Sequence, residues 1–302
     1  MPYAPAVMTL HRDELRINEL VVGNLLSEQI PEWADLPLSR LETTRTVNVA
    51  YRLGDDKLVR LPRTIGYGDG PEREATWLPV FAPAVPLEVP EHLAPGRPTK
   101  YYPCHWSVLR WIEGTNANAV SLNDLDVAAE ALGDFVVALR SVPTDGAPRS
   151  GSYRGFGLAG VYESFHRWLN EVSEDEIDVA RVRRIWEEGV AVEECMGPPK
   201  WFHGDLQPGN LIARDGDLVA VIDWEGCTVG DPSSDLLAAW WLFEADSRET
   251  FRSATGAATE EWRRAKGGAL FMAIAAIPYY ADANPGFASS ARKALQEVLA
   301  DN

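Results

Sequence analysis

Cysteine is scarce. The chain of 302 residues holds three, Cys104, Cys195 and Cys227, too far apart for metal-ligand spacing or a disulfide framework. They read as reduced, buried thiols, and the expected compartment is the cytoplasm. Positive charge is also short, with 28 lysines and arginines against 45 acidic residues and a formal charge of −17. So acidic a chain lacks the cations that displace counterions from nucleic-acid phosphates or adsorb to anionic lipid, and neither partner is expected. Long hydrophobic runs are missing too. The stretch from Ala269 to Ile277 falls well short of the ~20 residues of a membrane span, and Pro278 closes it. The opening residues, Met1-Pro2-Tyr3-Ala4-Pro5, carry neither the basic nor the apolar region of a secretion signal. There is no internal repeat and no low-complexity tract.

What is present is an ordinary globular composition, 46% hydrophobic and 24% charged. At ~150 residues per domain, the length fits about two domains or lobes. The charge is uneven: up to Gly114 there are 12 basic and 15 acidic residues, and beyond it 16 basic and 30 acidic. Solubility explains such an excess at the blandest, while an attraction for cations, metal or amine, is the sharper reading.

Apolar residues at Leu15, Ile17, Leu20, Val21, Leu25 and Leu26 give residues 13–27 a helical period. The run Thr46 to Leu53 is rich in β-formers and ends at the turn signal Gly54-Asp55-Asp56, and Lys57 to Leu61 returns as its partner. Pro71 to Val80 reads as a short amphipathic helix with Glu72 and Glu74 in its first turns. Six prolines make residues 83–106 extended connections with room for one strand. Ser107 to Ile112 is a buried strand closed by Glu113-Gly114. Beyond it helices are predicted at 122–140, 160–172, 176–195, 234–245, 258–277 and 287–300. A small α+β part thus precedes a larger helical one.

The stretch from Trp201 to Asp223 carries the chemistry. Pro208 and Gly209 keep His203 to Asn210 out of regular structure. Leu211 to Arg214 and Leu218 to Ile222 flank Asp215-Gly216-Asp217, a tight hairpin signal. Counting ladder pairs back from that turn sets Asn210 opposite Val221 or Ile222, beside Asp223. An amide oxygen and a carboxylate then share one end of a hairpin, with Asp205 on the adjoining loop. Oxygen donors of this kind suit Mg²⁺, which shares its shell with phosphates. His-x-Asp-x-x-x-x-Asn followed by a hairpin and an aspartate is the catalytic-loop pattern of kinases. In that pattern Asp205 accepts the proton of an attacking hydroxyl, and Asn210 and Asp223 hold the metal. A capped turn ahead of a structural hairpin is the blander reading. An isolated His-Gly-Asp would deserve it, but the added Asn210 and Asp223 outweigh it.

At this point the chain resembles the aminoglycoside phosphotransferase family, small-molecule kinases with a protein-kinase-like fold. The resemblance rests on His203-Gly204-Asp205-Leu206-Gln207-Pro208-Gly209-Asn210-Leu211, Val221-Ile222-Asp223-Trp224-Glu225, Gly230-Asp231-Pro232 and Asp235-Leu236. It extends upstream through residues 29–37, 51–56, 59–63 and 74–79, and Ser107 to Gly114 resembles the family's hinge strand. It implies an α+β bilobal fold: a β-rich nucleotide-binding lobe over 1–106, a hinge over 107–114 and a mostly helical catalytic and substrate lobe over 115–302.

The resemblance implies ATP or GTP as phosphate donor with Mg²⁺, and gives roles to single residues. Arg60 contacts the nucleotide phosphates where the family often has lysine, and Glu74 orients it. Lys57 and Glu72 are the rivals, although odd spacing puts Lys57 and Arg60 on opposite strand faces. Arg110, Trp111 and Ile112 meet the nucleobase edge, with Ile212 and Ile222 as walls. His203 and Asp235 brace the catalytic loop. The run Thr43 to Asn48, with Arg45, stands where the family often has a glycine-bearing loop. Gln207, Glu225, Asp231, Trp240 and Glu244 are the candidates for contacting the acceptor.

Only eleven residues separate Asp223 from Asp235, too few for the segment on which protein kinases dock peptides. A small-molecule hydroxyl is therefore the expected acceptor. Carboxylates and aromatic faces in the second part suit an amine-bearing, cationic molecule. An aminoglycoside or macrolide-type antibiotic leads, followed by an amino sugar or amino alcohol. A metallohydrolase and a non-catalytic pseudokinase are the alternatives from other classes; few histidines oppose the first, and intact Asp205, Asn210 and Asp223 the second. The sequence gives no oligomeric state.

Overall fold

A computed structural model describes residues 14–41, 47–149, 157–173, 177–193 and 197–301. Arg45, most of its loop, and Cys195 lie outside the described residues. The chain divides into two compact units, one of Met1–Pro79 and Pro90–Ile112, the other of Val80–Val89 and Glu113–Asn302.

In the first unit helix α1 (Glu19–Gln29) starts where the Asn18 side chain accepts the Val21 N–H. Leu15 and Ile17, read as part of this helix, precede it instead, because Leu15 N–H is bonded to Arg63 O. The sheet runs β1 (Leu38–Arg40), β2 (Asn48–Leu53), β3 (Lys57–Pro62), β5 (Trp106–Arg110) and β4 (His92–Gly96), with antiparallel neighbours throughout. One sheet face packs Val49, Tyr51, Val59, Leu61, Trp106 and Val108 against Val22, Leu25 and Leu26 of α1. The alternation of a strand then sends Arg60 to the other face, between Ala50 and Ser107. Helix α2 (Gly70–Phe81) follows the hairpin.

In the second unit β8 (Leu211–Arg214) pairs with β6 (Thr115–Asn116) and β9 (Asp217–Val221). The turn between β8 and β9 has both Asp215 and Gly216 at positive φ, 53° and 88°, as a tight hairpin requires. A second ribbon, β7 (Lys200–Phe202) with β10 (Thr228–Gly230), has strands too short to show a period in sequence. Phe81, Trp201 and Trp224 form a buried aromatic block; Phe81 stands edge-on to Trp201 at 4.9 Å and stacks on Trp224 at 5.0 Å. Around these lie α3 (Leu125–Arg140), α4 (Tyr162–Leu169), α5 (Val179–Val190), the single turn α6 (Ala238–Trp241), α7 (Ala245–Thr255), α8 (Thr259–Tyr280) and α9 (Pro285–Ala300). Helix α3 packs on α7, and α8 on α5 and α9.

The predicted helix over 234–245 is broken. A 3₁₀ turn at Pro232–Asp235 and the turn α6 take its place, and α7 starts afresh behind Glu244, whose N–H is accepted by Ser247 Oγ at 3.2 Å. The apolar period was real, but it belongs to a buried turn held at its start by Asp235. No helix among the described residues is long and apolar enough to cross a membrane.

Candidate active site

Strand β7 ends at Phe202, and the chain turns through Gly204 at φ 84°, a left-handed conformation that glycine adopts without strain. The turn is pinned by Asp235. Its two carboxylate oxygens accept the N–H groups of His203 and Gly204, each at 2.8 Å. Burial pushes the Asp235 carboxyl above the ordinary carboxylate range, and the two backbone N–H groups it accepts oppose that shift.

His203 is fully buried, edge-on to Trp224 at 4.9 Å. Its Nδ1 accepts the Asp205 N–H at 3.2 Å, so the ring proton resides on Nε2, which donates to Ile222 O at 3.0 Å. The ring thereby ties the loop carrying Asp205 to the end of the hairpin.

Asn210 closes the same loop from the other side. Leu211 pairs with Val221, and Ile222 N–H donates to Asn210 O at 2.9 Å, so Asn210 stands opposite Ile222 and beside Asp223. The Asn210 amide nitrogen donates to Asp205 O at 3.0 Å and to Asp205 Oδ2 at 2.8 Å. The amide nitrogen is therefore committed to Asp205, and the amide oxygen is the part of the side chain left to act as a ligand. Asp223 holds φ 68° and ψ 62°, a left-handed backbone that costs a side-chain-bearing residue energy. Such strain concentrates where a side chain must be aimed. The Asn210 amide oxygen and the neighbouring Asp223 carboxylate are hard oxygen donors, and they fit Mg²⁺.

Asn116 was missed in the sequence. From β6 it donates its amide to Gly209 O and supports the 3₁₀ turn Pro208–Asn210. A two-residue strand offers no pattern by which to find it. Gln207 is committed to the same turn, its Oε1 accepting the Gly209 N–H at 2.7 Å.

In the first unit Arg60 Nη1 donates to Glu74 Oε1 at 2.8 Å, and both side chains are buried. The rivals are engaged elsewhere, Lys57 with Asp56 at 2.6 Å and Glu72 with His105 at 3.4 Å. Of the hinge residues, Arg110 N–H donates to Glu91 O and Trp111 N–H to Asp56 O, each at 2.8 Å, so neither donor remains for a base edge. The Arg52 guanidinium lies 3.9 Å over the Trp111 ring. Ile112 N–H and C=O bond to no other described residue. Ile212 is buried in β8 and Ile222 half-buried after β9.

The expected acceptor contacts fare differently. Trp240 is corrected: it is 1% exposed, packs on Trp262 at 4.8 Å and donates Nε1 to Asp301, so it is core. Asp231 caps the 3₁₀ turn through Ser233 N–H and is paired with Arg264, Nε to Oδ2 at 2.7 Å, so its charge is already neutralised. Glu244 stands exposed at the start of α7, 4.0 Å from Lys293. Glu225 is half-buried on the turn after Asp223.

The model of the phosphotransferase enzyme family matches residues 44–267, well over half of the chain, and the chain belongs to that family. Its fold is similar to that of aminoglycoside 2'-phosphotransferase-IIIa in its GDP complex, with TM-score 0.72 and 18% identity over 95% of this chain and 100% of that one. It is also similar to macrolide 2'-phosphotransferase MphH from Brachybacterium faecium, with TM-score 0.57 and 20% identity over 91% of this chain and 96% of that one. A third is ADP-bound aminoglycoside phosphotransferase APH(2'')-Ib, with TM-score 0.58 and 15% identity over 93% and 98%. No curated protein matches the chain in sequence. The fold is thus α+β and kinase-like, and the protein is a phosphotransferase.

Proposed function

We propose that this phosphotransferase moves the γ-phosphoryl group of ATP or GTP to a hydroxyl of a small molecule, foremost an antibiotic of the aminoglycoside or macrolide type. The observation that carries the reading is the pair of hydrogen bonds from the Asn210 amide to Asp205, which aims one carboxylate and one amide oxygen from the same loop. Asp205 Oδ1 or Oδ2 takes the proton of the acceptor hydroxyl as its oxygen bonds to phosphorus. The bond from phosphorus to the bridging oxygen breaks, and the nucleoside diphosphate leaves with that electron pair. Asn210 and Asp223 would hold Mg²⁺, which when bound neutralises charge on the transferring phosphates. Arg60, kept in place by Glu74, is the cation for the remaining phosphate oxygens, and its planar fork suits them. The nucleobase edge falls to the backbone of Ile112. Eleven residues between Asp223 and Asp235 favour a small acceptor over a peptide.

The test is a panel of hydroxylated antibiotics and amino sugars with ATP and with GTP, scored for phosphate-adduct mass. Asp205→Ala is expected to lose about 10²–10⁴-fold in turnover while the thermal shift conferred by Mg²⁺-nucleotide persists. Retained turnover in that variant defeats the assignment.

A further inference from the structure

Asp235 clasps the loop that carries Asp205, and the turn that carries Asp235 is itself held from two helices. Arg140, in the last turn of α3, donates from Nη2 to Pro232 O at 2.6 Å. The same nitrogen lies 2.8 Å from Glu261 Oε1, in the first turn of α8. A guanidinium nitrogen of this kind carries two hydrogens, one for each oxygen. The cation ends one helix and the anion begins the other, where each suits the helix dipole. Their side chains are only 13% and 16% exposed, so the pair is largely shielded from solvent. The end of α3, the start of α8 and the turn Pro232–Asp235 therefore meet at one cation.

That turn is short and leaves little freedom between its ends. The proline ring fixes φ at its first residue, and Asp231 caps it by accepting the Ser233 N–H at 2.9 Å. Asp235, at its other end, is 1% exposed and spends both oxygens on the N–H groups of His203 and Gly204. Asp205 is the next residue. Arg264 holds the turn from outside, at Asp231, whereas Arg140 grips its first residue. Arg140 also acts on Asp235 through charge: burial drives that carboxyl up, and the guanidinium opposes the rise. An ionised carboxylate accepts at both oxygens, as the two bonds to the loop require.

We infer that Arg140 is a positioning residue for phosphoryl transfer, setting the place of the Asp235 turn and, through Asp235, the aim of Asp205. The inference rests on the reading of Asp205 as the base that takes the hydroxyl proton. A loop displaced by about 1 Å is enough to lower turnover by about 10²-fold, so a support outside the site reaches the rate.

Two measurements on the full chain test this role. Amide hydrogen exchange, read by NMR, follows the His203 and Gly204 N–H groups without any acceptor. Steady-state kinetics follow kcat and the KM for nucleotide, with kanamycin as an aminoglycoside probe and erythromycin as a macrolide probe. Arg140→Met keeps an apolar stem and removes the donor; Arg140→Lys keeps the charge one bond shorter. In Arg140→Met, exchange at His203 and Gly204 is expected to quicken about tenfold or more, while amides of α9 in the same unit keep wild-type rates. The kcat should fall about tenfold or more with the nucleotide KM unchanged. Arg140→Lys should lie between Arg140→Met and wild type in both readings. It also decides the matter if Arg140→Met does not fold, and wild-type exchange with wild-type kcat in the lysine variant then overturns the inference. Unchanged exchange at His203 and Gly204 in a folded Arg140→Met overturns it as well. So does exchange that quickens equally through α9, which would make Arg140 a support of the whole unit, or a raised KM with kcat unchanged. A wild-type chain that gives no phosphate adduct and no Mg²⁺-nucleotide thermal shift overturns the phosphotransfer reading instead, and amide exchange still decides whether Arg140 holds the loop.

Discussion

Asn210 gives its side-chain amide to Asp205 twice, to the backbone carbonyl at 3.0 Å and to carboxylate Oδ2 at 2.8 Å. One residue therefore sets the aim of the proposed base and presents the oxygen proposed to bind metal. Asn210→Asp separates the two roles. A carboxylate is as good a ligand for Mg²⁺, yet it would face the Asp205 carboxylate and carbonyl with no hydrogen to give. The variant is expected to lose turnover and about 1–3 kcal/mol of stability, read by denaturant unfolding. A variant as stable and active as wild type would reduce Asn210 to a ligand alone.

Asp223 combines a left-handed backbone with the carboxylate proposed to hold the metal. Asp223→Gly and Asp223→Ala both remove the carboxylate, but only glycine accepts φ 68° without strain. Both are expected to lose the Mg²⁺-nucleotide thermal shift. The glycine variant should be the more stable of the two by about 1 kcal/mol, measured by urea unfolding without nucleotide. Equal stability would mean that the strain is not borne by this backbone.

Arg60 and Glu74 form an ion pair with both side chains buried. Glu74→Ala takes from the buried Arg60 guanidinium the carboxylate 2.8 Å away, and it is expected to destabilise the fold and to raise the KM for nucleotide. The double change Arg60→Met with Glu74→Leu should recover much of that stability, because apolar residues fill the same space without desolvated charge. Nucleotide affinity should stay low. Recovery of affinity along with stability would show that neither charge serves the phosphates.

The two glycines of α8 make opposite predictions for one substitution. Gly268→Ala adds its methyl in open space and gains helix propensity, and is expected to stabilise by about 0.5–1 kcal/mol. Gly267→Ala drives a methyl into Leu158 and is expected to destabilise by about 1–3 kcal/mol. Thermal denaturation of the pair checks both signs at once.

Local sequence decided the elements around the loop. Asp215-Gly216 can adopt the two positive φ angles that a tight hairpin needs, and the alternation of β-strands then sets Asn210 opposite Ile222. The same alternation separates Lys57 from Arg60. Each of these follows from a period or a turn whose rule spans a few residues. The bond from Asn116 to Gly209, the clasp of Asp235 on His203 and Gly204, and the pairing of Asp231 with Arg264 span tens of residues or more, and no local pattern encodes them.

The acidic excess shows the limit most plainly. Composition alone makes nucleic acid and anionic lipid unexpected partners, because both favour a basic surface and this chain has 28 basic residues against 45 acidic ones. It could not say which carboxylates meet a ligand. Tertiary structure spent Asp231 on Arg264, buried Trp240 in the core and set Glu244 at a helix start. Sequence determines which groups exist and how neighbouring ones alternate; only packing at long range decides which of them are already satisfied.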